Sequence, residues 1–391
     1  MKVLPNFDEI IERENTDCLK YDARSQRFGR ADVQPLWVAD MDFRVPDIIT
    51  EKFQLLINHG IYGYHIKTEL YYDVIVEWFK KRHNYTTLSR NIIFTPGVVP
   101  AVGYLIQALT KKDEKIILQP PVYYPFFHVV RDNSRQIVYN QLIEKDGNYT
   151  IDFDDLEQKA KEAKMLVFCS PHNPAGRVWT KDELTKVAEI CLRNNVIIVS
   201  DEIHNDLVFA PHKHIPIASL SKEIDDITIT CHSASKTFNL AGLSTAYIFT
   251  YNQNLKKEIK NYIGNLHVDS LNTFGLTAMV AAFSEGEKWL AELTKYLWNN
   301  YLFLEEFIAK NIPTIKIFKP EATYMAWLDF REFKFSDNDL KQFIIEKAGL
   351  GLNDGPTFGP GGNGFQRINF ACPQERLKQA LEKLKAAFDL S

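Results

Sequence analysis

The chain has 391 residues, 45% apolar and 25% charged, with 46 Lys+Arg against 50 Asp+Glu for a net charge of −4. This is the balance of a globular protein of two or three core-forming units, and it weighs against nucleic acid or an anionic membrane as principal partner. No apolar run approaches the ~18 residues of a membrane span, and residues 1–10 carry acids in place of an apolar signal core, so a cytoplasmic protein is expected. Five cysteines (Cys18, Cys169, Cys191, Cys231, Cys372) are scattered without a C-x-x-C pair, which predicts free thiols and neither a disulfide nor a zinc site.

From residue 91 to 250, short apolar runs alternate with helical patterns. The runs 92–95, 115–118, 165–169, 196–200, 227–231 and 246–250 are rich in β-branched residues and apolar on both faces. That pattern predicts a mostly parallel central sheet flanked by helices, an α/β fold. Thr95-Pro96-Gly97-Val98-Val99-Pro100 follows the first run and opens a helix, so its free N–H groups are a candidate anion site; an ordinary tight turn has the same composition. Tyr123 and Tyr124 follow the second run, where an aromatic ring either packs or stacks on a flat ligand. Asn173, in a loop held by two prolines and a glycine, presents an amide after the third run. The helix 181–194 starts at Thr180 with Glu183 three residues on, a capping box.

Asp201 ends the fourth run, and a carboxylate there is costly to bury without a partner; a protonated pyridine nitrogen is one such partner. His204, three residues later, is placed to orient that carboxylate or to serve as a structural histidine. After the fifth run comes Ser233-Ala234-Ser235-Lys236, a lysine among small hydroxyl residues at a strand end. That setting suits an aldehyde held as a Schiff base, with hydroxyl and N–H groups to cradle a phosphate.

The last hundred residues read differently. Leu290, Leu293, Leu297, Tyr301, Leu304 and Ile308 recur in steps of three and four, which predicts a long amphipathic helix. Strands at 325–329 and 366–370, a Gly/Pro-rich loop at 354–364 and a closing helix bearing Leu377, Leu381, Leu384 and Phe388 follow. We expect residues 51–284 to form a large domain, and residues 1–50 with 285–391 a smaller α+β domain.

Taken together and in this order, the glycine turn, the aromatic, Asn173-Pro174-Ala175-Gly176-Arg177, Asp201–His204, Ser233–Lys236 and the late Arg367 resemble the fold-type I pyridoxal-phosphate enzymes, the aspartate aminotransferase superfamily. Trp37–Phe43, residues 95–100 and 121–127, Glu321-Ala322-Thr323-Tyr324 and residues 367–373 are similar to the MalY/PatB group of cystathionine β-lyases. The resemblance runs from about residue 30 to the end. It implies pyridoxal 5′-phosphate bound to Lys236, with Asp201 at the ring nitrogen, Asn173 at the ring oxygen, Tyr123 stacked on the ring and His204 nearby. Gly97, Val98, Val99, Ser233 and Ser235 would take the phosphate, and Arg367, Ala39 and Tyr124 the substrate. Tyr64 would reach the cofactor from a second subunit, which implies a homodimer with a composite site.

Two positions depart from many transaminases of the superfamily. Ser244 stands where they carry a phosphate-gripping arginine, and His204 where they carry tyrosine; both match the lyase group better. The implied activity is α,β-elimination of L-cystathionine or related L-cysteine S-conjugates to thiol, pyruvate and ammonia. In that reading Lys236, Tyr123 and Tyr64 are the catalytic residues and the substrate is a small amino acid. An aminotransferase on the same scaffold is the alternative, and a regulatory role through a protein partner is a second one.

Overall fold

The computed structural model describes residues 5–268 and 272–389. Residues 1–4, the start of the stretch read for a signal core, lie outside the described residues, as do 269–271 and 390–391. Seven strands form the central sheet in the spatial order Ile92–Thr95, Ala246–Phe249, Thr228–His232, Ile197–Asp201, Ala163–Cys169, Lys115–Leu118, Gln136–Tyr139. All neighbours are parallel except Ala246–Phe249, which runs antiparallel to both strands beside it. The six runs expected from sequence are all present within a residue or two. Gln136–Tyr139 was not foreseen, because this edge strand is only partly buried and lacks a continuous apolar run.

Successive strand residues point to opposite faces, and each face buries its own helices. Ile116, Leu118, Met165 and Val199 pack under the helix Val98–Leu109, while Ile117, Leu166, Phe168 and Ile198 pack against Lys181–Arg193. The capping box at Thr180 and Glu183 is formed in both directions and marks where that helix begins.

The long helix spans Glu287–Asn311 and buries all six of the residues that predicted it. It packs on the closing helix Gln374–Asp389 and near a four-stranded antiparallel sheet in the order Lys316–Phe318, Met325–Asp329, Phe365–Asn369, Asn353–Asp354. Part of the expected loop 354–364 is therefore ordered, as the end of a strand and a 3-10 turn, Gly355–Phe358. The amino-terminal stretch joins here, where Gln34–Pro35 pairs in parallel with Leu350–Gly351.

The register of the parallel strands decides where function is placed. Cys169 sits opposite Asp201, and Asp201 opposite Cys231, so the loops after three strands leave the sheet side by side. The antiparallel strand sets Ala246 opposite Thr95, which brings the residues just before it, Ser244 and Thr245, to the same edge.

Gly176 ties one of these loops to the smaller sheet. It has φ +68°, its carbonyl accepts from the backbone N–H of Glu321 and Ala322, and a Cβ there would lie 2.9 Å from both Ala322 O and Pro320 Cβ. Gly176→Ala should therefore cost about 2–4 kcal/mol of stability, from left-handed strain plus overpacking, read as a lower denaturation midpoint with an unchanged slope.

Candidate active site

A cavity of about 190 Å³ opens at the carboxyl ends of the strands. One wall is the start of the helix Val98–Leu109, where Gly97 is the N-cap and offers no side chain to the first N–H groups. Facing it are Ser233 and Ser235, together with Ser244 and Thr245. Ser233 caps its own short turn by accepting from Ser235 N–H at 3.0 Å and donates to the Thr245 carbonyl at 2.6 Å. Helix N–H groups and hydroxyls converging on one end of a cavity form a cradle for an anion such as phosphate.

At the other end lies Asp201, 4% exposed. Burial raises its carboxyl to about 7, opposed by the Ile203 amide, which donates to Oδ1 at 3.1 Å, and by the charge of Lys236. Next to it, burial holds the His204 imidazole well below its ordinary range, with the Lys236 and Arg367 charges adding to the effect. His204 is therefore neutral at pH 7, and its buried Nδ1 has no hydrogen-bond partner. Asn173 is fixed by a bond from Arg367 Nη1 to its Oδ1 at 2.9 Å, which leaves its amide N–H group as the free end in the cavity. Tyr123 lines the same space and its rise above the usual phenol range comes from burial.

Lys236 closes the cavity. Burial brings its ammonium down to about 8, against the pull of Asp40 and with help from Arg367. Its Nζ donates to the Ala39 carbonyl at 2.7 Å, and Tyr324 Oη donates to the same oxygen at 2.8 Å. The Ala39 turn is held from behind by an ionic knot. Asp42, buried, accepts from Arg13 Nη1 at 2.5 Å and Tyr21 Oη at 3.0 Å and lies 3.1 Å from the ammonium of Lys20, a residue with no exposure at all. Arg13 also reaches Asp40 Oδ2 at 2.7 Å.

Arg367 sits on the strand Phe365–Asn369, between Trp327 and Asn353 in register. Its Nη2 donates to the Trp37 carbonyl at 2.9 Å and to Asn353 Oδ1 at 2.6 Å, while its buried Nε is unsatisfied. It makes no ion pair among the described residues, and burial lowers its guanidinium to about 10.

The structure thus brings Gly97, Val98, Val99, Tyr123, Asn173, Asp201, His204, Ser233, Ser235, Lys236 and Ala39 around one cavity, with Arg367 bonded to its wall. Tyr124 faces a neighbouring cavity. Tyr64 is fully exposed on a stretch without helix or strand and does not reach this chain's own site. Sequence reasoning passed over the wall residues Cys169, Ile203 and Thr245 and the Arg13–Lys20–Asp42 knot. Each gains its place from long-range packing, and only the Trp37–Phe43 run signalled the knot's acidic half.

The profile of the aminotransferase class I and II family matches residues 52–384. Cystathionine β-lyase PatB of Bacillus subtilis (strain 168) is 42% identical over 384 residues, covering 98% of this chain and 99% of that protein. Among solved structures, cystalysin from Treponema denticola, which contains a pyridoxal 5′-phosphate cofactor, superposes with a TM-score of 0.96 at 37% identity over all of both chains. The pyridoxal-phosphate-bound C–S lyase from Staphylococcus hominis gives 0.92 at 34% identity, covering 99% of this chain and 98% of that one.

Two outcomes follow from the electrostatics. Asp42→Asn leaves the Lys20 charge buried without its nearest counter-ion and should cost about 3–5 kcal/mol of stability in chemical denaturation. In the apoprotein, the neutral amine of Lys236 appears as pH rises through about 8. Acylation at Lys236, followed by peptide mass analysis, should be half-maximal near that pH, well below the ~10.4 of an unperturbed lysine side chain.

Proposed function

The chain belongs to the aminotransferase class I and II family, and on that premise we propose that it is a pyridoxal-phosphate-dependent carbon–sulfur β-lyase. Its reaction is α,β-elimination of L-cystathionine or related L-cysteine S-conjugates to thiol, pyruvate and ammonia. The cavity fits this cofactor by its chemistry. It has an N–H and hydroxyl cradle at one end, an acid lacking a counter-ion of its own at the other, and an amine of lowered pKa between them. Val98, Val99, Ser233 and Ser235 would hold the phosphate, Asp201 the ring nitrogen and Asn173 the ring oxygen, with Tyr123 stacked on the ring and His204 nearby. When bound, pyridoxal phosphate supplies the electron sink that makes the substrate Cα–H acidic.

The protein's own groups do the rest. Arg367, buried with free hydrogen-bonding capacity and no ion pair among the described residues, receives the substrate carboxylate. Lys236 is the base that takes the Cα proton, and the lowered basicity suits that task near neutral pH. Ala39 and Tyr324 keep it in place, since the Ala39 carbonyl accepts from both. Lys236 or Tyr64 then gives a proton to the departing sulfur.

Elimination over transamination is supported by the full-length likeness to a protein named as a cystathionine β-lyase and by Ser244 on the cradle wall. The observation that carries the reading is the meeting of Asp201, Lys236 and Arg367, three buried charges lacking their usual compensation, around one small cavity.

A homodimer belongs to the same proposal. Ile61, Tyr62, Tyr64 and Ile66 expose an apolar strip, and a second copy covering it would bring Tyr64 to the partner's cavity. Cytoplasmic residence is supported by five unpaired cysteines, and no helix among the described residues is long and apolar enough to cross a membrane. The division into residues 51–284 and residues 1–50 with 285–391 is also part of this reading.

Lys236→Ala should lower pyruvate release from L-cystathionine by about a hundredfold or more while leaving the circular dichroism spectrum unchanged. If the wild type makes glutamate from L-cystathionine and 2-oxoglutarate rapidly, with no thiol or pyruvate, the lyase reading is wrong.

A further inference from the structure

Lys236 shares its turn with a second side chain that grips the segment carrying Ala39. Three residues further on, Asn239 takes the left-handed conformation at φ +60°, which asparagine accepts more readily than most residues. Its amide faces the backbone of residues 41–43. Oδ1 accepts from the Met41 N–H at 2.9 Å, and Nδ2 donates to the carbonyls of Met41 and Phe43, both at 2.9 Å. One acceptor and two donors are all engaged, a set that an amide in this orientation supplies.

The turn is itself well anchored. Thr237 Oγ1 donates to Asp206 Oδ2 at 3.0 Å, Ser233 Oγ donates to the Thr245 carbonyl at 2.6 Å, and Phe238 is wholly buried. The Ala39 segment is held from its other side by Asn369, on the strand that bears Arg367. Asn369 Nδ2 donates to the Val38 carbonyl at 2.6 Å and to the Asp40 carbonyl at 2.7 Å. Each carbonyl from Trp37 to Met41 therefore accepts from a side chain. In order, the donors are Arg367, Asn369, Lys236 with Tyr324, Asn369 again, and Asn239 with Arg13. A carbonyl only accepts, so the Ala39 oxygen favours the protonated amine at Lys236 Nζ over the neutral one. It lies where the ammonium forms when Lys236 takes the Cα proton, the electron pair on carbon passing to the cofactor's sink.

We propose that Asn239 is a positioning residue for Lys236: by fixing Met41 and Phe43 to the lysine's own turn, it sets the Ala39 carbonyl at bonding distance from the amine. The lysine and its acceptor are thereby built as one unit, and Lys236 takes up a proton without first moving to find a partner. The inference rests on Lys236 being the base of the lyase reading.

The test uses Asn239→Gly, which keeps the left-handed turn and removes only the side chain, and Asn239→Ser, whose hydroxyl is too short to span the three partners. In the holoenzyme, kcat for pyruvate release from L-cystathionine should fall about tenfold in both variants. KM should stay within about twofold of wild type, because Asn369 still holds the side toward Arg367. In the apoprotein, acetylation of Lys236 by acetic anhydride, read by peptide mass analysis, should reach half-maximum about one pH unit below wild type, since the ammonium has lost a well-placed acceptor. A folded variant in which either readout stays at the wild-type value overturns the proposal. Failure of both variants to fold overturns it too, since Asn239 would then serve folding and not the base. If the wild type releases no pyruvate, the lyase reading fails separately, and the acetylation midpoint alone decides whether Asn239 positions Lys236.

Discussion

A carboxylate at the end of the fourth strand of a buried sheet organises this molecule. Asp201 receives one backbone N–H and lies too deep for water to solvate it fully, so burial pushes its proton affinity up to about 7. An isolated ionised carboxyl in such a place is unstable by several kcal/mol, and it either takes up a proton or finds a cationic partner. The strand register fixes its position to within a residue, between Cys169 and Cys231, and this is also where the loops carrying Asn173 and Lys236 leave the sheet. In the proposed reading, a ring nitrogen of the cofactor would share its proton with Asp201 and so answer the constraint.

The buried charges of the protein fall into two kinds. Asp42, Lys20 and Arg13 compensate one another, and Asp206 gathers Trp78, His83 and Thr237 around its carboxylate. Such closed networks hold backbone in place, and the first of them sets the Ala39 carbonyl against which Lys236 rests. Asp201, Lys236 and Arg367 are left open, each with its proton affinity moved by burial against its charged form. Closed networks stabilise; open charges are available to a ligand.

Much of this was legible in the chain. Runs such as 115–118 and 196–200 are β-branched and apolar on both faces because helices cover them on both sides, and Leu290 to Ile308 follow the helical period because one face of a long helix is buried. Asp201, Asn173 and Lys236 stood out because each follows a core strand, where a polar residue is anomalous. What escaped has a common cause. Gln136–Tyr139 is an edge strand with mixed exposure, and Lys20 is a fully buried lysine that looks like any surface lysine until Asp42 is brought to it from another segment. Tyr123 and Tyr124 are neighbours in sequence yet serve different cavities, a division made by the local turn and invisible in composition. Tyr64, fully exposed on this chain, would have a role only in the proposed dimer.

The direct test of this account is equilibrium binding of pyridoxal phosphate to wild-type and Asp201→Asn apoprotein, with both folded by circular dichroism. If the open carboxylate is the constraint the site is built on, the amide should weaken cofactor binding by about tenfold or more, because one charge-assisted hydrogen bond is lost. Unchanged affinity in the variant would contradict the account, since Asp201 would then be a buried acid with no bearing on what the cavity holds.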